Sequence, residues 1–113
     1  MTDAVEAIVW TVAWPKIVSY LLNPAHTDGA SKAKYLLAFG YAAEEPERLA
    51  GDLVKHAVDH WPGRTVVRPI GLPRRVFEGP VTAPDGRVIS LRSVWEITHD
   101  TEMRFLTAYP WKP

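Results

Sequence analysis

At Trp61-Pro62-Gly63 the chain changes its periodicity. Before this point apolar residues recur at helical spacing; from Arg64 onward they alternate in twos among strand-favouring residues. One such switch predicts an α+β fold, with N-terminal helices packed on one face of a C-terminal antiparallel β-sheet of about four strands. The length of 113 residues has room for one domain, residues 1–113.

Three helices are predicted in the first half. The apolar stretch 4–13, with Trp10 at its end and Trp14 just beyond, reads as a strand or an extended segment lying across the core. Pro15 suits the first turn of a helix over 15–22, whose stripe is Ile17, Val18, Leu21 and Leu22, and Asn23-Pro24 stops it. A second helix starts near Ser31, with that hydroxyl as its cap, buries Tyr35, Leu36 and Phe39, and ends at Gly40. The third opens at Pro46 behind Glu44 and Glu45 and runs to about His60, with Leu49, Leu53, Val54 and Ala57 on one face.

Strands are predicted at 64–70, 75–82, 87–98 and 103–109. Ala83-Pro84-Asp85-Gly86 is a hairpin turn, and a three-residue loop there sets Val81 opposite Ile89, Phe77 opposite Ser93 and Glu78 opposite Arg92. That register gathers Phe77, Val81, Ile89, Leu91, Trp95 and Ile97 on one face. The last hairpin has two readings. Pairing Ile97 with Phe105 sends Thr107 and Tyr109 to the apolar face; pairing Trp95 with Leu106 sets Arg92 opposite Tyr109.

The net charge is zero, yet residues 1–60 carry an acidic excess and the remainder a basic one, with six arginines from Arg64 to Arg92. The second half therefore offers a cationic surface to a phosphate or an acidic partner. With no cysteine, disulfides, thiolate metal sites and cysteine nucleophiles are excluded. No run of ~18 apolar residues or signal-peptide pattern is present, so the chain reads as cytoplasmic with no membrane partner. Phosphate-loop, dinucleotide and serine-hydrolase glycine motifs are lacking. His56 and His60 lie four apart on one helix face, but Ala57 stands where a metalloprotease would have glutamate, and no metal or cofactor is assigned.

The remaining polar constellation is His26, Ser31, Lys32, Lys34, Arg92, Thr107 and Tyr109. These residue types suit cleavage of RNA, which needs a base for the 2′-hydroxyl, an acid for the leaving 5′-oxygen and cations around the phosphorane. His26 can serve as base or acid, Lys32 or Lys34 adds charge at a helix start, Arg92 can grip a phosphate, and Thr107 and Tyr109 share a strand face. His26, Lys32, Arg92, Thr107 and Tyr109 are the candidate catalytic residues; Ser31, Lys34 and Arg75 are the candidate substrate contacts.

Six short motifs carry a resemblance: Tyr20-Leu21-Leu22-Asn23-Pro24-Ala25-His26, Gly29-Ala30-Ser31-Lys32-Ala33-Lys34, Phe39-Gly40-Tyr41, Pro84-Asp85-Gly86-Arg87, Arg92-Ser93-Val94-Trp95 and Leu106-Thr107-Ala108-Tyr109-Pro110. In this order they resemble a family of small, largely uncharacterised bacterial proteins and toxin C-terminal domains, which is similar to the barnase, EndoU, colicin and RelE group of ribonucleases. The resemblance implies helices against an antiparallel sheet, metal-independent RNA cleavage, and a cognate antitoxin or immunity protein as partner. His26, Lys32, Arg92, Thr107 and Tyr109 match the family's polar motif positions. Ser31 stands where toxin-like relatives often carry histidine, and Gly29-Ala30 where they usually carry two glycines. The rival implication is a non-enzymatic immunity or partner-binding module.

Overall fold

The computed structural model describes residues 7–27 and 29–112. Its elements run β1 (Val9–Thr11), α1 (Trp14–Lys16), a π-helical turn (Ile17–Leu21), α2 (Ala30–Ala38), α3 (Pro46–Asp59), β2 (Arg64–Val66), β3 (Arg74–Thr82), β4 (Val88–His99) and β5 (Glu102–Pro110). The α+β division at Gly63 is as the periodicity predicts. Gly63 has a φ of 61°, and a Cβ there would lie 2.3 Å from the Val76 carbonyl oxygen, so the crossing from helix to sheet requires glycine.

The sheet differs from the expectation in one strand. It has five strands in the order β1-β5-β4-β3-β2 and is mixed, because β1 pairs parallel to β5 through Val9–Glu102, Trp10–Met103 and Thr11–Arg104. The N-terminal segment thus makes an edge strand, while the Trp10 indole also lies across the core, 5.0 Å from the Trp95 ring and 6.1 Å from that of Phe77. Residues 4–6 of the predicted stretch lie outside the described residues. Strand β2 stops at Val66 rather than at residue 70, since Pro69 and Pro73 supply no N–H to a ladder.

The helical predictions hold in place and differ in kind. Pro15 opens α1, but the continuation is π-helical, with the Leu22 N–H donating to the Ile17 carbonyl at 2.8 Å. Helix α2 begins one residue before Ser31. Gly29 is its N-cap and no side chain caps it, which corrects the assignment of that role to Ser31. Helix α3 buries Leu49, Leu53, His56 and Ala57, a spacing of one helix face.

The β3–β4 hairpin has the predicted register, including Val81–Ile89, Phe77–Ser93 and Glu78–Arg92. Phe77, Val81, Ile89, Leu91 and Trp95 are buried under the helices with Ile17, Leu21, Leu36, Leu49 and Leu53. In the last hairpin the register that pairs Ile97 with Phe105 does not occur, and the other holds only in part. Ile97 pairs with Met103 and Trp95 with Phe105, then Val94 pairs with Thr107 and Arg92 with Tyr109, so Leu106 is an extra residue forming a bulge. Phe105 and Ala108 both face the core, while Thr107 and Tyr109 face away with Arg92. The pairing of Arg92 with Tyr109 is as the second reading has it; the pairing of Trp95 with Leu106 is not.

Candidate functional site

Three segments meet at the end of β5. Strand β1 pairs only with Glu102–Arg104, and beyond them the side of β5 is met by Tyr20 from the π-helical turn and Lys32 from α2. Each is set by buried neighbours: Ile17 and Leu21 fix the turn that carries Tyr20, and Ala33 and Leu36 fix the helix that carries Lys32. Gly29 lets the turn approach α2, for a Cβ there would lie 2.8 Å from the Tyr20 carbonyl oxygen and 2.9 Å from its ring.

The three polar tips form a closed triangle. The Tyr20 and Thr107 hydroxyls are 2.9 Å apart, and the Lys32 ammonium donates to Thr107 Oγ1 at 3.1 Å and, in a short bond, to Tyr20 Oη. Lys16 adds a second cation, its Nζ 5.5 Å from the centre of the Tyr20 ring. Partial burial raises the Tyr20 phenol's pKa, but the bonds to Lys32 and Thr107 and the charges of Lys32 and Lys16 outweigh it, and the net shift is downward from 10.0. A phenol so placed passes a proton in either direction more readily than an ordinary tyrosine.

His26 closes one side, its ring edge-on to Tyr20 with centroids 5.0 Å apart. The Gly29 N–H donates to His26 Nδ1 at 3.0 Å, so a neutral ring carries its proton on Nε2. On the other side Tyr109 links two cations: Lys32 Nζ lies 5.7 Å and Arg92 Cζ 5.6 Å from its ring centre. Arg92 Nη1 donates to the Tyr109 hydroxyl at 3.5 Å, while Nε and Nη2 both go to Glu78, which Arg64 also reaches at 3.5 Å. Partial burial raises the Glu78 carboxyl's pKa, yet the bonds from Arg92 and Arg64 hold it below the usual range. Most of the Arg92 fork is thereby occupied. Its geometry orients Tyr109 rather than presenting a bidentate face to phosphate.

Of the predicted site residues, His26, Lys32, Thr107, Tyr109 and Arg92 come together. Ser31 and Lys34 lie exposed on α2, and Lys34, two residues beyond Lys32, points to another side of that helix. Arg75 is elsewhere: on the helix-covered face its Nη1 donates to the Pro62 carbonyl at 2.8 Å and its guanidinium stacks 4.8 Å from the Trp61 ring centre. Tyr20 and Lys16 are the groups the sequence reading omits. The available signal was their i, i+4 spacing beside an apolar stripe, with Tyr20 leading the motif that ends at His26.

His56 and His60 share a face as their spacing predicts, with ring centres 4.8 Å apart. Their nitrogens serve the fold. His56 bonds Ser93 Oγ at 3.0 Å and the Gly79 and Leu91 carbonyls at 3.1 Å each, and His60 bonds the Pro80 carbonyl at 3.1 Å. No group of three or more metal-ligating side chains occurs among the described residues, and no helix among them is long and apolar enough to cross a membrane.

The fold is similar to that of a chain in the contact-dependent growth inhibition toxin–immunity protein complex from Klebsiella pneumoniae 342. The TM-score is 0.70 at 17% identity, covering 89% of this chain and 99% of that one. No curated protein matches the sequence. A family described as "Domain of unknown function (DUF6883)" matches residues 3–112, nearly the whole sequence, and the chain belongs to that family.

Proposed function

We propose that this chain is a small RNA-cleaving toxin domain acting by internal transesterification at the Tyr20, Lys32 and Thr107 triangle. In that reaction the 2′-hydroxyl gives up its proton and its oxygen bonds to phosphorus. The bond from phosphorus to the 5′-oxygen breaks, and that oxygen takes a proton, leaving a 2′,3′-cyclic phosphate and a free 5′-hydroxyl. The carrying observation is the acidified Tyr20 phenol held by an ammonium and a hydroxyl. As phenolate, Tyr20 accepts the 2′-proton and, as the phenol so formed, passes it to the leaving 5′-oxygen, while His26 stands edge-on against its ring. Lys32 and Thr107 face the charge that develops on the phosphorane, and Tyr109, positioned by Arg92, completes the phosphate contacts. The fold likeness to a chain of a toxin–immunity complex supports a toxin-related or immunity module with a cognate partner protein.

The test is incubation of end-labelled RNA with purified protein between pH 5 and 9. Cyclic-phosphate products are expected, with Lys32→Met and Thr107→Val each lowering the rate by about 10²- to 10³-fold. Intact RNA across that range overturns the reading. One observation favours a second reading, an immunity-type binding module: Val67, Ile70 and Leu72 are exposed in a loop flanked by Arg64, Arg68 and Arg74. On that reading expression is harmless, and a stoichiometric complex with the neighbouring gene product survives Thr107→Val and is lost in Ile70→Asp.

A further inference from the structure

Beside the triangle the surface falls into an open hollow of about 630 Å³ lined by Ala13, Pro15, Lys16, Ser19, Tyr20 and His26. We infer that this hollow seats the unpaired nucleotide next to the scissile phosphate, so that the substrate is single-stranded or looped RNA rather than duplex; the inference rests on the RNA-cleavage reading.

Four observations carry it. The hollow shares Tyr20 with the triangle, so its occupant is one residue's width from the Lys32 and Thr107 tips. Its volume falls in the range of small-ligand sites. Its walls pair two rings, Tyr20 and His26 at 77° to each other, with the apolar Ala13 and Pro15, which suits the flat face and edge of a base. Its one lysine, Lys16, sits where a flanking phosphate would follow, and none of the described lining residues is acidic. A base can lie against these rings only after leaving its stack, which a paired nucleotide resists and an unpaired one does not. A second hollow, about 420 Å³ between α3 and the β3–β4 hairpin, lacks this character. Its Arg48 and Lys55 are already paired with Asp52 and Asp59.

The probe is a fluorescent 2′-O-methyl oligonucleotide, which lacks the attacking hydroxyl, compared as a single strand and as the duplex of the same sequence. Wild-type protein is expected to bind the single strand at least tenfold more tightly. Ser19→Leu, which fills the hollow from an exposed position, and Lys16→Gln are each expected to weaken single-strand binding about tenfold with the melting temperature unchanged. Lys55→Gln, on α3, is expected to bind as wild type. Equal affinity for strand and duplex, wild-type binding by both hollow variants, or no binding at all overturns the inference. Unmodified RNA assayed in parallel separates the two readings. Binding with the expected variants but no cleavage sinks the nuclease alone; cleavage with unaltered binding in the variants sinks the hollow alone.

Discussion

Tyr20 and Tyr41 show how one side-chain type takes opposite characters from its neighbours. Lys32, Thr107 and Lys16 pull the Tyr20 phenol below its ordinary pKa, whereas burial and the adjacent Asp52 carboxylate, 2.7 Å from its hydroxyl, push that of Tyr41 far above it. In an alkaline titration followed by phenolate absorbance, Tyr20 is expected to ionise well before Tyr41. Lys32→Met should return Tyr20 toward 10 or beyond, and an unchanged Tyr20 step would refute the assigned electrostatics. His56 gives a second prediction. It is 1% exposed, and burial lowers its pKa below 6.5 although its bonds to the Gly79 and Leu91 carbonyls oppose this. Nε2–H donates to those carbonyls, and the acceptor Nδ1 ends a chain in which Trp95 Nε1–H donates to Ser93 and Ser93 to His56. The unfolded chain therefore takes up a proton near pH 6.5 that the folded chain refuses. Its contribution to stability is full above that pH and falls as pH drops toward the folded pKa, by at most about 1.4 kcal/mol per pH unit. Urea melts at pH 7.5 and 5.0 should show this slope, and His56→Gln should flatten it; an equal slope in the variant would assign it to another group.

Gly29 and Leu106 mark what elements do that single residues cannot. The close passage of the π-helical turn over Gly29 sets the height of Tyr20 above β5, so Gly29→Ala must move the phenol away from Lys32 and Thr107. The expected result is about a tenfold or greater loss of RNA cleavage with circular dichroism unchanged and the Tyr20 ionisation moved upward; wild-type activity would show that the turn does not position the ring. The Leu106 bulge explains why the site was half legible in the sequence. Period two identified the four strands after Gly63 and the β3–β4 register, because Pro84-Asp85-Gly86 fixes the loop and opposite charges meet at Glu78 and Arg92, but it did not reveal β1. It could not choose a register for β5, since one inserted residue lets Phe105 and Ala108 share the core face that strict alternation denies them. The Tyr20 contact was hidden for another reason: 87 residues separate it from Thr107, and a π-helical turn shifts the ring from where a 3.6-residue period would put it.

Across the whole molecule the sheet has two unlike faces. One lies under the helices; on the other, Val76 and Val94 are buried among side chains that include the paired Arg92–Glu78 and Arg104–Glu96, which alternate to the same side of their strands. Much of the basic excess read from the sequence is therefore tied to carboxylates, and the cations near the triangle come from the acidic half, as Lys16 and Lys32. Trp10 joins the two halves. It sits in β1, four residues before the start of the helix that leads to Tyr20, and its indole packs edge-on against Trp61, Phe77 and Trp95 at 6.2, 6.1 and 5.0 Å. Removing it withdraws apolar contact from the sheet and the anchor of the site's first segment together. Trp10→Ala is expected to lower unfolding free energy by about 3 kcal/mol and the melting temperature by on the order of 10 °C. Trp14→Ala, at a ring that is 53% exposed, should change either by little. At a temperature where Trp10→Ala remains folded by circular dichroism, its RNA cleavage should still fall below that of wild type. Undiminished cleavage there would mean that α1 and the π-helical turn hold Tyr20 in place without β1.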